Sequence, residues 1–165
     1  MGAADFRRPE SVLVVIYTPA LDCLLLERVS PPGYWQSVTG TLGWDETPAA
    51  AAAREVREET GLDPAGLRDT GIAHTFPIAP AWRHRFAPEV SENVEHLWYL
   101  ETPERTQIEV DPAEHSTYVW LPLEEAIQKV ASWTNREALC RLREVVAVSV
   151  GGTDSQPPGR GGPVS

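Results

Sequence analysis

The apolar positions of this chain fall into short runs separated by turn-forming residues, and the spacing changes from strand-like to helix-like and back. Ser11–Thr18 (SVLVVIYT) is apolar and β-branched almost throughout, which predicts a buried strand. Pro19 to Asp22 turns the chain, and Cys23–Arg28 (CLLLER) predicts the returning strand. A Ser30-Pro-Pro-Gly33 loop leads to a short strand, Tyr34–Thr39, that runs directly into Gly40, where a glycine permits close backbone approach. Further strands are predicted at Leu67–Phe76, Val94–Glu101 and Tyr118–Leu121, and an irregular stretch around Pro77, Pro80 and Pro88. Helices are predicted at Thr47–Thr60, at Pro122–Val130 with proline in the first turn, and at Asn135–Val148. Strands, a helix, more strands and two closing helices give the α/β class, a mixed sheet with helices on its faces, in one domain over residues 1–150. Residues 151–165, rich in Gly, Pro and Ser, read as a disordered tail.

The helix at Thr47–Thr60 carries the clearest signals. Thr47 is a good N-cap, Pro48 suits the first turn, five alanines favour the helix and Gly61 suits a left-handed stop. Its spacing puts Ala49, Ala52, Ala53 and Val56 on one face and Glu55, Glu58 and Glu59 on another. Like charges three and four residues apart repel, and two of these lie in the last turn, at the negative end of the helix dipole. One reading is a solvated acidic face with Arg54 and Arg57 as ion-pair partners. The other is a site for Mg²⁺ or Mn²⁺, which prefer carboxylate oxygens and accept phosphate oxygens alongside them.

Charge narrows the partners. A net charge of −10 argues against a surface for nucleic-acid polymers or anionic membranes, and no apolar run is long enough to span a bilayer. A phosphorylated small molecule remains compatible, because bound metal inverts the local field. Cys23 and Cys140 lack CxxC spacing and read as reduced core residues of a cytoplasmic protein, in keeping with an N-terminus without a signal-peptide layout. Against the acidic background stand Arg7-Arg8-Pro9 and Trp82-Arg-His-Arg-Phe86. Either stretch reads as surface or as a wall that meets phosphates, with Arg83, His84 and Arg85 candidates on charge alone. The Asp111–His115 loop likewise offers acids to solvent or to a metal. No sequence feature specifies an oligomeric state.

Gly40, Glu46, Arg54, Glu55, Val56, Glu58, Glu59, Gly61 and Leu62 occupy every fixed position of the Nudix box, and on them the chain resembles the Nudix hydrolases. The resemblance continues in Arg7–Tyr17, Trp35–Thr39, Arg83–Pro88, Glu114-His115 with Tyr118-x-Trp120-Leu121, and Ser132–Arg136, where it is to the folate-biosynthesis members of that family. Glu89 and the shortened, Pro-rich segment between Leu62 and Trp82 depart from their pattern. The resemblance implies the Nudix fold, an α/β/α sandwich around a mixed β-sheet. It implies Mg²⁺-dependent hydrolysis of dihydroneopterin triphosphate to the monophosphate and pyrophosphate, with Mn²⁺ as an alternative ion. By the same resemblance Glu55, Glu59 and Glu114 bind metal, Glu58 is a further ligand or the base, Arg54 orients a glutamate, and Glu46 stabilises the loop before the helix. Arg7 and Arg28 would meet phosphates, and Thr39, Phe76, Pro77, Ile78, Ala79 and Ser132 would contact substrate. Other nucleoside triphosphates as substrates, and a ligand-sensing module without turnover, are the competing readings.

Overall fold

The computed structural model describes residues 6–151, with side chains to Val145. The expected disordered tail therefore lies outside the described residues, except for Gly151, which closes the last helix. Seven strands form one sheet: β1 (Glu10–Tyr17), β2 (Asp22–Arg28), β3 (Trp35–Gln36), β4 (Val38–Thr41), β5 (Arg68–Pro77), β6 (Glu92–Glu101) and β7 (His115–Pro122). The helices are α1 (Pro48–Thr60), α2 (Leu123–Lys129) and α3 (Trp133–Gly151), and a 3-10 helix spans Pro80–Arg85.

β1 is central, and its unbroken apolar run has the expected cause. Val12, Val14 and Ile16 point into one core with α1, while Leu13, Val15 and Tyr17 point into a second core with α2 and α3. The sheet is mixed and sandwiched between helices, as expected: β1 runs parallel to β6, and its other pairings are antiparallel. The free side of β1 is shared. Ser11–Val14 pair with β4, and Tyr17 pairs with Cys23 of β2. From there β2 pairs along its length with β7, and it holds β3 through Leu26 and Glu27. β5 forms the rim beyond β6, with a register shift between Asp69 and Ala73 and Gly71 at φ 71°.

Four expectations shift in detail. The strand expected at Tyr34–Thr39 divides at Ser37, where the chain changes partner from β2 to β4. Asn135 holds that joint, accepting from the Ser37 N–H at 2.8 Å and donating to its hydroxyl at 2.9 Å. Consequently α3 starts at Trp133, with the Ser132 hydroxyl accepting from the Asn135 N–H at 3.2 Å as an N-cap. β7 begins at His115, so that residue belongs to a strand and not to the preceding loop. Cys23 is buried, its thiol pushed up to about 12 by burial, but Cys140 is exposed on α3 and is not a core residue.

On α1 the Thr47 hydroxyl accepts from the Ala50 N–H, and Gly61 closes the helix at φ 74°. The buried stripe is Ala51, Ala52, Glu55, Val56 and Glu59, and Ala49 is exposed. Alanines let the helix approach the sheet closely. Ala52→Leu should overpack this contact and destabilise the fold by about 1–3 kcal/mol, read as a lower midpoint in denaturant unfolding.

Candidate active site

The loop from Gly43 to Glu46 is held by two arginines, Arg54 and Arg8. Glu46 accepts from the Gly43 N–H at 3.1 Å and, with both oxygens, from Arg54 at 2.8 and 2.9 Å. Arg54 also donates to Glu55 at 2.7 Å, to Glu58 at 3.2 Å and to the Thr41 carbonyl at 3.1 Å. These bonds hold the Glu46 carboxyl down to about 2. Arg8 adds a second clamp, donating to the carbonyls of Gly43, Trp44 and Glu46.

Glu55 and Glu59 lie on the buried stripe of α1, and Glu58 does not. Glu58 is exposed, on the outer side with Arg54. Glu55 turns towards β4 and fills the space over Gly40: a Cβ there would stand 2.1 Å from the Glu55 carboxyl carbon. Gly40 is thus required for room, since its backbone has no positive φ. Glu59 is 2% exposed, and its Oε2 has no hydrogen-bond partner. Burial, then Glu55 and Glu114, push its carboxyl well above the usual value, against a backbone hydrogen bond from Thr39. Burial also raises Glu55, although Arg54 opposes it.

At the start of β7, Glu114 and His115 complete the cluster. Oxygens of Glu59 and Glu114 and a ring nitrogen of His115 lie within 4.8 Å of one another. His115 is 1% exposed; its Nε2 is 3.0 Å from the Gln36 amide nitrogen, and its Nδ1 has no partner. Burial lowers its pKa, although Glu114 acts the other way. Two buried, unpartnered atoms, on residues whose ligand atoms cluster with Glu114, make a set of carboxylates and imidazole that fits a divalent cation.

Cations gather beside these acids. The Arg28 guanidinium lies over Trp82 at 4.9 Å and Tyr34 at 5.9 Å, and Arg85 lies over the same Trp82 at 5.9 Å. Arg7 donates its backbone N–H to the Arg85 carbonyl. Its pKa is lowered by burial, then by Arg85, while Glu114 and Glu55 act the other way. Of the three residues singled out on charge, Arg85 joins this wall. Arg83 instead closes its own loop on the Pro88 and Val90 carbonyls, and His84 is exposed.

Of the remaining candidates, Thr39 lies beside Glu59, to which its backbone gives a hydrogen bond. Thr39 donates its hydroxyl to the Val12 carbonyl at 2.9 Å. Phe76 and Pro77 end β5, and Ile78, 7% exposed, bonds Ser91 through its N–H. Ala79 is exposed, and Ser132 caps α3. Sequence reasoning quoted His115 without a role and passed over Gln36. The signal was present: a histidine directly after an acid, at the point where an alternating apolar strand begins.

A NUDIX domain model matches residues 7–142. The chain is 40% identical to dihydroneopterin triphosphate diphosphatase of Escherichia coli strain K12 over 139 residues, 81% of this chain and 91% of that one. It is 38% identical to the protein of the same name from Haemophilus influenzae, over 82% of this chain and 87% of that one. The solved E. coli dihydroneopterin triphosphate pyrophosphohydrolase superposes with a TM-score of 0.76 over 81% of this chain and 94% of that one, at 40% identity.

Two outcomes test the geometry. Gly40→Ala should drive the Glu55 carboxylate out of its seat, weakening Mn²⁺ binding at least about tenfold in a titration while circular dichroism stays unchanged. Glu46→Gln should remove the Arg54 clamp. Because the Glu46 carboxyl is depressed to about 2, its stabilisation is present above the usual 4.5 and fades as pH falls towards 2. The variant should therefore be less stable by about 1–2 kcal/mol at pH 7, with the gap closing in acid unfolding near pH 2.

Proposed function

The chain belongs to the NUDIX family of pyrophosphohydrolases, and we propose that its substrate is dihydroneopterin triphosphate, cleaved to the monophosphate and pyrophosphate with Mg²⁺ as cofactor and Mn²⁺ as an alternative. The observation that carries the reading is the buried Glu59 oxygen without a partner, set beside Glu55 and Glu114, which in turn lie near Arg7. A triphosphate would have its charge met by the arginines and by the cation that the carboxylates would hold. The pterin comes from the relatives at 38–40% identity.

Phosphoryl transfer depends on positioning and charge neutralisation more than on covalent chemistry. A bound divalent cation neutralises phosphate oxygens and lowers the pKa of a water. Glu55, Glu59 and Glu114 are the residues that would hold it. Glu58, the exposed member, serves as a further ligand or as the base that orients the water. Arg54 acts through Glu55 and Glu58 by fixing where their oxygens point. Arg7 and Arg28 grip phosphate, and Arg28 is stiffened for this by its bond to the Ser30 carbonyl at 2.9 Å and by the ring beneath it. Thr39, the Phe76–Ala79 stretch and Ser132 line the substrate's approach. The enzyme works in the cytoplasm as one domain over residues 1–150. Among the described residues no helix is long and apolar enough to cross a membrane.

Glu59→Gln should lower metal-dependent turnover at least about a hundredfold with the fold intact; an unaffected rate overturns the metal assignment. A panel comparing dihydroneopterin triphosphate with ordinary and oxidised nucleoside triphosphates, with the products identified, tests the substrate. Pyrophosphate release favouring the pterin is the expected result. Release favouring a nucleotide overturns the pterin, and binding without turnover overturns catalysis.

A further inference from the structure

His115 is wholly buried and one of three residues whose ligand atoms lie within 4.8 Å of one another, yet nothing in the acidic logic of the site calls for a ring. Its surroundings account for one nitrogen only. Nε2 meets the Gln36 amide at 3.0 Å, while Nδ1 is enclosed without a hydrogen-bond partner. Leaving such a buried atom unpaired is unfavourable, so a second partner is expected. Glu59 Oε2 is enclosed and unpaired in the same group. Neither atom is paired with the other, and a cation between them would satisfy both.

From this juxtaposition we propose that His115 is a nitrogen ligand of the catalytic metal, bound through Nδ1, and that Gln36 is the residue that positions it. The proposal rests on the metal-dependent reading above. With the amide nitrogen turned to the ring, Nε2 must accept and the ring proton sits on Nδ1. Half a turn of the nearly isosteric amide presents its oxygen instead. The proton then sits on Nε2, and Nδ1 keeps a free lone pair, as ligation through that atom requires. Gln36 is held on β3, paired with Leu26 of β2, and Arg28 of β2 pairs with His115 of β7. Ring and amide are thus fixed by the same stretch of sheet. The consequence is metal preference. Imidazole favours Mn²⁺ and later transition metals over Mg²⁺, whereas an all-carboxylate site favours Mg²⁺ more evenly.

The test is pulsed electron paramagnetic resonance of the full-length protein loaded with Mn²⁺, with Mn²⁺ and Mg²⁺ affinities measured in parallel. Wild type should show nitrogen modulation of the imidazole kind, changing from ¹⁴N to ¹⁵N in protein grown with ¹⁵N-histidine alone. That labelling arm needs no variant to fold. His115→Phe should abolish the modulation and lower the Mn²⁺-over-Mg²⁺ affinity ratio. Gln36→Leu should weaken Mn²⁺ binding about 10- to 100-fold and shift it towards higher pH, which a purely structural role would not do. Mn²⁺ bound at a Glu59-dependent site without histidine modulation overturns the proposal and leaves the hydrolase reading standing. Absence of any Mn²⁺ binding that Glu59→Gln abolishes overturns both.

Discussion

Burying carboxylates side by side is unfavourable, and this site does it on the core-facing stripe of a helix. The interaction that makes it tolerable is the reach of Arg54. From one position on α1 the guanidinium spans Glu46, Glu55, Glu58 and the Thr41 carbonyl, so a single cation links the helix, the loop before it and the end of β4. Its burial is partial, and its charge is reinforced first by Glu46. Arg54 leaves Glu59 alone. Glu59, which the clamp does not reach, is pushed well above its usual value by burial and keeps an oxygen without a partner. The acids of α1 thus divide into two that Arg54 reaches, Glu55 and Glu58, and one, Glu59, that it does not.

The sheet determines how the other parts arrive. β1 shares one side between β4 and β2, so the strand feeding α1 and the strand carrying Arg28 diverge from a common centre. β2 then places Arg28 opposite His115 at the head of β7. Cation wall and acid cluster are therefore neighbours by strand register, although Arg28 and Glu114 lie far apart in sequence. The Ser37 joint has the same character: a strand changes partners there because Asn135, at the far end of the chain, supplies both hydrogen bonds the joint lacks.

Much of this was legible in the sequence, for identifiable reasons. The caps of α1 are local chemistry, and Thr47, Pro48 and Gly61 do what their side chains dictate. The box residues stand in one fixed frame, which gave the family and with it the sandwich. What misled was the assumption that charge and core occupy opposite helix faces. Ala49 was placed inward and Glu58 with the other acids; in fact Glu55 and Glu59 share the stripe with Ala52 and Val56. Helical spacing alone cannot show this, because the room for Glu55 comes from Gly40 on a different element. His115 was hidden similarly. Its burial depends on β7 starting three residues earlier than the apolar pattern suggested, and its unpaired nitrogen depends on Gln36.

The rim strand has a bearing on solubility. β5 is ten residues long and pairs with β6 on one side only, so a row of main-chain groups faces outward, the geometry on which foreign strands stack. Its ladder is broken between Asp69 and Ala73, where Gly71 turns left-handed and the Thr70 hydroxyl substitutes for a ladder bond by donating to Leu97. A bent edge offers no continuous template. The irregularity that looks like a flaw in the sheet therefore guards the protein against polymerising through its own margin.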